Sequence, residues 1–282
     1  MINGIILVDK PKGISSNTVV NIVKKCVGAN KAGHLGTLDV LGHGLLPVTL
    51  GKSTKLFDIF LKKDKVYEAS FRFGVETETF DLEGKITKTD NKIIQKEDII
   101  KAIPSLIGKQ SQLPPVYSAK KINGQKAYDL ARAGKEVVLK PKDIEIYDLK
   151  MLSQIDRNEF LFKIHCSSGT YIRSLCRDLA NKLSTCGVMS DIIRTRCGML
   201  SLDEAFSIEE IKNGKYKIIS PDDLFTYESI YLNTVDSSKV LNGVNLHTDQ
   251  SEGKYKIYDD QKRFVGLANV KKGLLKLSLR LI

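Results

Sequence analysis

The sequence predicts an α+β fold in which a large domain, residues 1–222, precedes a small β-rich domain, residues 223–282. The chain has 282 residues, and its apolar share of 42% is sufficient for a core. Segments with the two-residue alternation of strands are interspersed with segments of helical periodicity. Beyond about Asp222 the pattern changes to short strands with tight turns, which places the domain boundary there.

The N-terminal segment predicts a strand, a turn and a capped helix. Residues 4–9 form a run rich in Ile and Val, which ends at the turn Lys10-Pro11-Lys12-Gly13. In the helix that follows, Ser15 or Ser16 can serve as the N-cap. Gly28 stands where a C-terminal glycine is expected, so the helix should end there.

The other elements follow from the same periodicities. Strands are indicated at 45–50, 66–73, 144–152, 160–166, 188–199, 255–258, 264–270 and 274–281, and helices at 54–61, 93–107, 126–133 and 172–183. A strand and turn are indicated at 116–125, and residues 29–44 form a structured loop. The apolar residues of the helix at 172–183 make one stripe, so we expect Arg173 and Arg177 together on another part of the surface.

Charge and cysteine content limit the function. Lys and Arg number 44 against 33 Asp and Glu, a net charge of +11, which favours a polyanionic partner, although a solvated lysine-rich face fits equally well. The five cysteines include no C-x-x-C pair, so neither a zinc site nor a redox pair is indicated. The N-terminal segment is too short and too soon charged for a signal peptide, and no apolar run approaches a membrane span. These observations predict a reduced, soluble, cytoplasmic protein.

The stretch from Ala32 to Gly44 is the best candidate site. Its four glycines allow the backbone to approach a ligand closely, and His34 and Asp39 offer a ring and a carboxylate. The residues alone also fit a glycine-rich loop in which the aspartate caps a turn.

This stretch resembles the central motif of the pseudouridine synthases, G-x-L-D-x-x-A-x-G, and its surroundings resemble the bacterial tRNA pseudouridine-55 synthases, the TruB family. Matching blocks occur in order between residues 8 and 198: Val8-Asp9-Lys10-Pro11, Lys31-Ala32-Gly33-His34, Gly36-Thr37-Leu38-Asp39, Lys65-Val66-Tyr67, Tyr117-Ser118-Ala119-Lys120, Ser168-Gly169-Thr170-Tyr171-Ile172-Arg173 and Arg194-Thr195-Arg196. The resemblance implies a catalytic domain with a mixed, mostly antiparallel sheet and a PUA-like C-terminal domain that binds RNA.

The resemblance also implies a set of catalytic residues. Asp39 would be the nucleophile, attacking either the ribose C1′ or the uracil ring, and Arg173 would hold its carboxylate. Tyr67 would stack on the target base and help to remove the C5 proton. Without the resemblance, Tyr67 is one more aromatic on a buried strand face and Arg173 is a surface arginine.

Further residues are implied as RNA contacts. His34 would take the place of the extruded base, and Tyr171, Lys10 and Pro11 would shape the pocket wall. Lys65 is either a phosphate contact or a solvated charge. The substrate would be uridine 55 in the T loop of tRNA, with a monomer acting without cofactor or metal. Two alternatives are a subunit of an RNA-guided rRNA pseudouridine synthase and a tRNA chaperone with weak catalysis.

The sequence departs from the family pattern just after Asp39. Val40 stands where the bacterial branch usually has proline, and Gly42-His43 stand where it has Ala-Thr. Loss of a proline and gain of a glycine both add backbone freedom, so the loop should be looser than in the family.

Overall fold

A computed structural model describes residues 2–117, 121–122, 125–127 and 137–282. Its strands are β1 (Gly4–Lys10), β2 (Ala32–His34), β3 (His43–Leu50), β4 (Lys65–Phe73), β5 (Val75–Thr77), β6 (Ile86–Thr89), β7 (Gly108–Gln112), β8 (Lys121–Ile122), β9 (Gln125–Lys126), β10 (Lys142–Asp156), β11 (Glu159–Cys166), β12 (Gly187–Cys197), β13 (Leu200–Ser201), β14 (Phe206–Ser207), β15 (Ser229–Tyr231), β16 (Leu246–His247), β17 (Gly253–Tyr258), β18 (Phe264–Lys271) and β19 (Leu274–Arg280). Its α-helices are α1 (Ser16–Val27), α2 (Phe57–Leu61), α3 (Lys96–Ala102), α4 (Ile172–Lys182), α5 (Ile208–Lys212) and α6 (Thr234–Leu241).

Two sheets dominate the fold. The large sheet has ten strands in the order β14-β1-β3-β12-β4-β11-β10-β7, with β13 paired to β12 and β2 paired to β3. Among the described strands of this sheet, only β1 with β14 and β3 with β12 pair in parallel, so the predicted mixed, mostly antiparallel sheet is confirmed. The C-terminal sheet has the order β15-β17-β18-β19-β16. The division at residues 222–223 stays a prediction.

Both faces of the large sheet are covered, which explains the unbroken apolar run of β1 from Ile5 to Val8. Ile6 and Val8 pack on one face with residues of α1 and α4, such as Val23 and Leu175. Ile5 and Leu7 pack on the other face in a cluster that includes residues of the C-terminal sheet. A strand that is buried on both faces loses the alternation of a half-exposed strand.

The caps predicted for the first helix are confirmed. Ser15 is the N-cap of α1, and its side chain accepts a hydrogen bond from the amide of Thr18. Gly28 ends the helix with φ 70°, the left-handed conformation that glycine adopts without a steric penalty.

Several elements differ from the prediction. The helix expected at 93–107 is only α3, and Pro104 follows in a 3-10 turn, Ile103–Leu106, because proline cannot donate the hydrogen bond that continues a helix. The first part of the helix expected at 54–61 is also a 3-10 turn, Gly51–Leu56. The loop expected at 29–44 contains β2, which pairs with β3. The predicted turn at Asn123-Gly124 and most of the predicted helix at 126–133 lie outside the described residues. No helix of the described chain is long and apolar enough to cross a membrane.

Candidate active site

A cavity of about 600 Å³ opens beside the loop of residues 35–42, named here the Asp39 loop. The loop contributes Asp39 to the wall, β4 contributes Tyr67, and β12 contributes Arg194. The start of α4 and the residue before it add Arg173 and Tyr171. Four segments that are far apart in sequence therefore meet at one concave site, of the size that binds small molecules.

Asp39 and Arg173 form an ion pair within this cavity. An Nη2 nitrogen of Arg173 lies 2.9 Å from Oδ2 of Asp39, whose side chain is 50% exposed while that of Arg173 is 9% exposed. The structure thus brings together the two residues that the resemblance joined. The carboxylate is held by a charge-assisted contact and still faces the cavity.

Arg173 is fixed by further contacts that sequence reasoning missed. Its Nη1 donates to Oδ2 of buried Asp81 and to the carbonyl of Thr79, each at 3.0 Å, and its Nη2 donates to the carbonyl of Tyr117. Arg173 is therefore buried, and the expectation that it lies on the surface beside Arg177 is wrong. Its guanidinium can be buried because these acceptors replace the water molecules that would otherwise solvate it. Nothing in the local pattern marked Asp81, since its partner lies 92 residues away.

The Asp39 loop is anchored on its inner side. The hydroxyl of Ser16 donates to the carbonyl of Leu38 at 2.8 Å and accepts from the Leu38 amide at 2.9 Å. The ammonium of Lys10, a fully buried residue, donates to the carbonyls of Val40 and Gly42. These contacts oppose the looseness expected from the departures at Val40 and Gly42-His43.

Arg194 anchors the two ends of the same region. The residue is 1% exposed, and its guanidinium donates to the carbonyls of Leu45 and Gly36. Gly44 has φ 89°, and a Cβ there would lie 2.6 Å from the Arg194 carbonyl, so only glycine permits this close approach of β3 to β12. Sequence reasoning did not identify Arg194 as a cavity residue.

Tyr67 and His34 are both affected by burial and by the charge of Arg194. Tyr67 is buried, lines the cavity and stands opposite Arg194 on the neighbouring strand. Burial raises the pKa of its phenol, an effect that the charge of Arg194 partly offsets. His34 lies on β2, and burial together with Arg194 lowers the pKa of its imidazole. The Nδ1 of His34 has no hydrogen-bond partner among the described residues.

The remaining predicted site residues are Tyr171, Lys10, Pro11 and Lys65, and not all of them line the cavity. Tyr171 lines the cavity, and its amide donates to Oε1 of Gln112. Lys10 and Pro11 are not among the residues that line this cavity: the ammonium of Lys10 donates to carbonyls of the Asp39 loop, and Pro11 is exposed. Their role in shaping the site for RNA stays a prediction. Lys65 is 6% exposed and donates to the carbonyl of Leu61, so it is not a solvated charge. A phosphate contact by Lys65 stays a prediction.

Metal ligands are not clustered in the described part of the chain, where no three His, Cys, Asp or Glu side chains could hold an ion together. The cavity wall instead offers one carboxylate, two phenols, two guanidinium groups and the ammonium groups of Lys65 and Lys142. Such a wall suits nucleophilic attack and stabilisation of negative charge.

The fold of the chain is similar to that of solved structures over nearly its whole length. It resembles the crystal structure of the archaeal box H/ACA sRNP Nop10-Cbf5 complex with a TM-score of 0.70 at 18% identity, over 99% of this chain and 86% of that chain. A structure of an H/ACA RNP bound to a substrate RNA containing 2′-deoxyuridine gives a TM-score of 0.70 at 20% identity, over 99% and 85%. At such identities the likeness shows the fold alone.

Sequence comparison identifies the family. The family model for the N-terminal domain of TruB family pseudouridylate synthases matches residues 24–172, and that for the C-terminal region of TruB, pseudouridine synthase II, matches residues 229–282. The proteins named tRNA pseudouridine synthase B from Aquifex aeolicus and Caldanaerobacter subterraneus subsp. tengcongensis are 39% and 35% identical, over 97% and 94% of both chains. The chain therefore belongs to the TruB family of pseudouridine synthases.

Proposed function

We propose that this enzyme converts uridine 55 in the T loop of tRNA to pseudouridine. The relatives that match nearly the whole chain are named tRNA pseudouridine synthase B. The observation that carries the proposal is the half-exposed carboxylate of Asp39, held by buried Arg173 at the wall of a cavity of about 600 Å³. A cavity of this size accommodates a nucleotide that has been turned out of its stack.

In the proposed reaction, Asp39 is the nucleophile. A carboxylate attacks without first losing a proton to a general base, and the contact with Arg173 fixes its direction. Tyr67 lines the same cavity and supplies an aromatic surface on which the extruded uracil stacks. His34 fills the place that the base leaves in the RNA. Isomerisation moves one bond from N1 to C5 of the same base, so no co-substrate enters the reaction.

The RNA contacts extend beyond the cavity. The net charge of +11 supports binding to phosphates, and residues 223–282 act as an RNA-binding domain. Removal of residues 229–282 should therefore weaken tRNA binding more than it slows the bound complex.

In the decisive experiment, an unmodified tRNA transcript is incubated with the purified wild-type protein or with the Asp39→Asn variant, and the positions of pseudouridine are then mapped. We expect modification at uridine 55 by the wild type and none by the variant, with tRNA affinity within about threefold because phosphate contacts supply most of the binding. Modification by Asp39→Asn would remove Asp39 from its role. Modification of rRNA only with a guide RNA would favour the RNA-guided alternative, and refolding of tRNA without modification would favour a chaperone.

A further inference from the structure

Arg194 brings a positive charge to the cavity wall that no ion pair neutralises within the described part of the chain. Its hydrogen bonds go to the backbone carbonyls of Leu45 and Gly36 and to the phenol of Tyr67, which are dipoles and not counter-charges. Removing an uncompensated charge from water is costly. A fold that keeps such a charge beside its cavity can use it for an anion that forms there.

The second guanidinium of the cavity cannot serve in the same way. Arg173 is bound to two carboxylates, Asp39 and Asp81, and to two backbone carbonyls. Its positive charge is therefore already matched. Arg194, in contrast, stands directly across from Tyr67, the residue on which the base would stack.

The charge of Arg194 is felt by several neighbouring groups. It contributes to the lowered pKa of His34, after burial. The pKa of Lys10 is lowered to about 8, chiefly by burial, with Asp39 opposing the shift and Arg194 adding to it. A field that disfavours protonation of its neighbours also stabilises negative charge in the same space.

Isomerisation of uridine places negative charge on the uracil by either route of attack. If Asp39 attacks C1′, the C1′–N1 bond breaks, its electron pair stays on N1, and the uracil anion spreads charge over N1, O2 and O4. If Asp39 adds to C6, the electron pair of the C5–C6 double bond shifts and leaves an enolate on O4. In both routes the C1′–N1 bond breaks, C1′ bonds to C5, and the bond between Asp39 and C1′ or C6 breaks and returns the free carboxylate. The C5 proton leaves and N1 gains a proton exchanged with water, so the atoms balance.

We propose that the guanidinium of Arg194 is a catalytic group that stabilises the negative charge that develops on the uracil before C1′ bonds to C5. The inference rests on the proposed function and names a residue for its reaction. Preorganised donors of this kind act at the transition state more than on the bound substrate. Loss of the charge should therefore slow the chemical step and leave tRNA affinity unchanged.

The test compares Arg194→Gln with Arg194→Lys in single-turnover reactions on tRNA with enzyme in excess. Both side chains can donate to the carbonyls of Gly36 or Leu45, and only lysine keeps the charge. We expect Arg194→Gln to lower the rate constant about 100-fold or more, Arg194→Lys to lose less than tenfold, and both to bind tRNA within about threefold of the wild type. Arg196→Gln is the matched control, because Arg196 lies on the same strand with a 42% exposed side chain, and its rate should not change.

Two further measurements separate the charge from a structural role. The pKa of His34, followed by NMR, should rise in Arg194→Gln and stay close to the wild-type value in Arg194→Lys. In Arg194→His the rate should increase as pH falls through the titration of the new imidazole, a rise that the wild type lacks; this variant decides the question if Arg194→Gln does not fold. Equal rates for the glutamine and lysine variants, or a pH-independent histidine variant, would overturn the role of Arg194. A wild type without pseudouridine formation would overturn the proposed function instead.

Discussion

The cavity region and the C-terminal sheet use buried charge in different ways. Around the cavity, buried Arg194 and Arg173 bond to residues 149 and 92 positions away in the sequence, and buried Lys10 bonds to Gly42, 32 positions away. In the C-terminal sheet, buried Asp259 accepts hydrogen bonds from Gln261 and Arg263, two and four positions away.

The difference shows what each charge contributes. A long-range bond from a buried charge fixes the relative position of segments that the chain does not hold together, and the catalytic constellation depends on that position. A local bond from a buried carboxylate shapes one turn. Changes of charge around the cavity should therefore alter activity, whereas the same changes in the C-terminal sheet should alter stability.

Among changes outside Asp39 and Arg194, the largest effect is expected from Asp81→Asn. The variant keeps the size of the side chain but leaves Arg173 with Asp39 as its single carboxylate partner, so the guanidinium can shift away from its present position. A displacement of about 1 Å at a catalytic group can cost a factor of about 100, and we expect the rate of pseudouridine formation to fall by that order with little change in tRNA affinity. Single-turnover kinetics and binding assays measure both quantities.

Asp178→Asn is the matched control for Asp81→Asn. Asp178 accepts a hydrogen bond from Arg177 on the same helix and lies outside the cavity wall. The activity of the Asp178→Asn variant should therefore stay within about twofold of the wild type. A folded Asp81→Asn protein with wild-type turnover would show that Asp81 does not position Arg173.

Lys10 should give the cavity region a distinctive pH dependence of stability. Its pKa is lowered from the ordinary value of 10.5 to about 8, chiefly by burial. Between these two values the unfolded chain binds more protons than the folded one, so the free energy of unfolding rises with pH in this window. Relative to Lys10→Met, the wild type should gain roughly 3 kcal/mol from pH 8 to pH 10.5.

Urea unfolding of both proteins at a series of pH values measures this difference. The variant cancels the contributions of the other titrating groups, because it shares them with the wild type. Parallel curves for the two proteins would mean that Lys10 titrates in the folded state as it does in the unfolded state, and the account of its burial would be wrong.

Local sequence patterns predicted much of the secondary structure. The caps at Ser15 and Gly28, the apolar stripe of α4 and most of the long strands follow from spacing and residue type, and these are properties of short segments. The resemblance to a family supplied Asp39 and Arg173, which the structure brings into contact.

The residues that were missed or misplaced share one property. Asp81 holds Arg173, and Arg194 reaches the cavity wall, through contacts with distant segments, and no local pattern records such contacts. Lys10 and Lys65 stand beside other charged residues in the sequence, where surface exposure is the expected state, yet both are buried against backbone carbonyls. Burial of a charge is decided by tertiary contacts and cannot be inferred from neighbours in the chain.

Asp259→Ala tests whether a buried charge in the C-terminal sheet affects stability and not activity. The change removes acceptors for the amides of Gln261 and Arg263 and for Nε of Arg263, and it should lower the free energy of unfolding by about 1–3 kcal/mol. Because these bonds stay within one turn, the rate of pseudouridine formation with saturating enzyme should remain within about twofold. Thermal unfolding and single-turnover assays decide it, and a loss of activity in the folded variant would show that this turn communicates with the cavity.

The smallest effect is expected from Val40→Pro, which asks how well the Asp39 loop is already ordered. The amide of Gly42 donates to the carbonyl of Asp39, so Val40 is the second residue of a turn, a position that favours proline, and its φ is not positive. A compatible proline adds about 0.4–1 kcal/mol to stability by restricting the unfolded chain. Because Ser16 and Lys10 already hold the loop, we expect urea unfolding to show this gain in stability, while the rate constant stays within about twofold of the wild type.

Leu41→Pro is the control, since proline at the third position of such a turn strains the residue before it and should lower both stability and rate. If Val40→Pro instead raised the rate several-fold, the Asp39 loop would be loose in the free enzyme, and the anchoring by Lys10 and Ser16 would be weaker than their hydrogen bonds indicate.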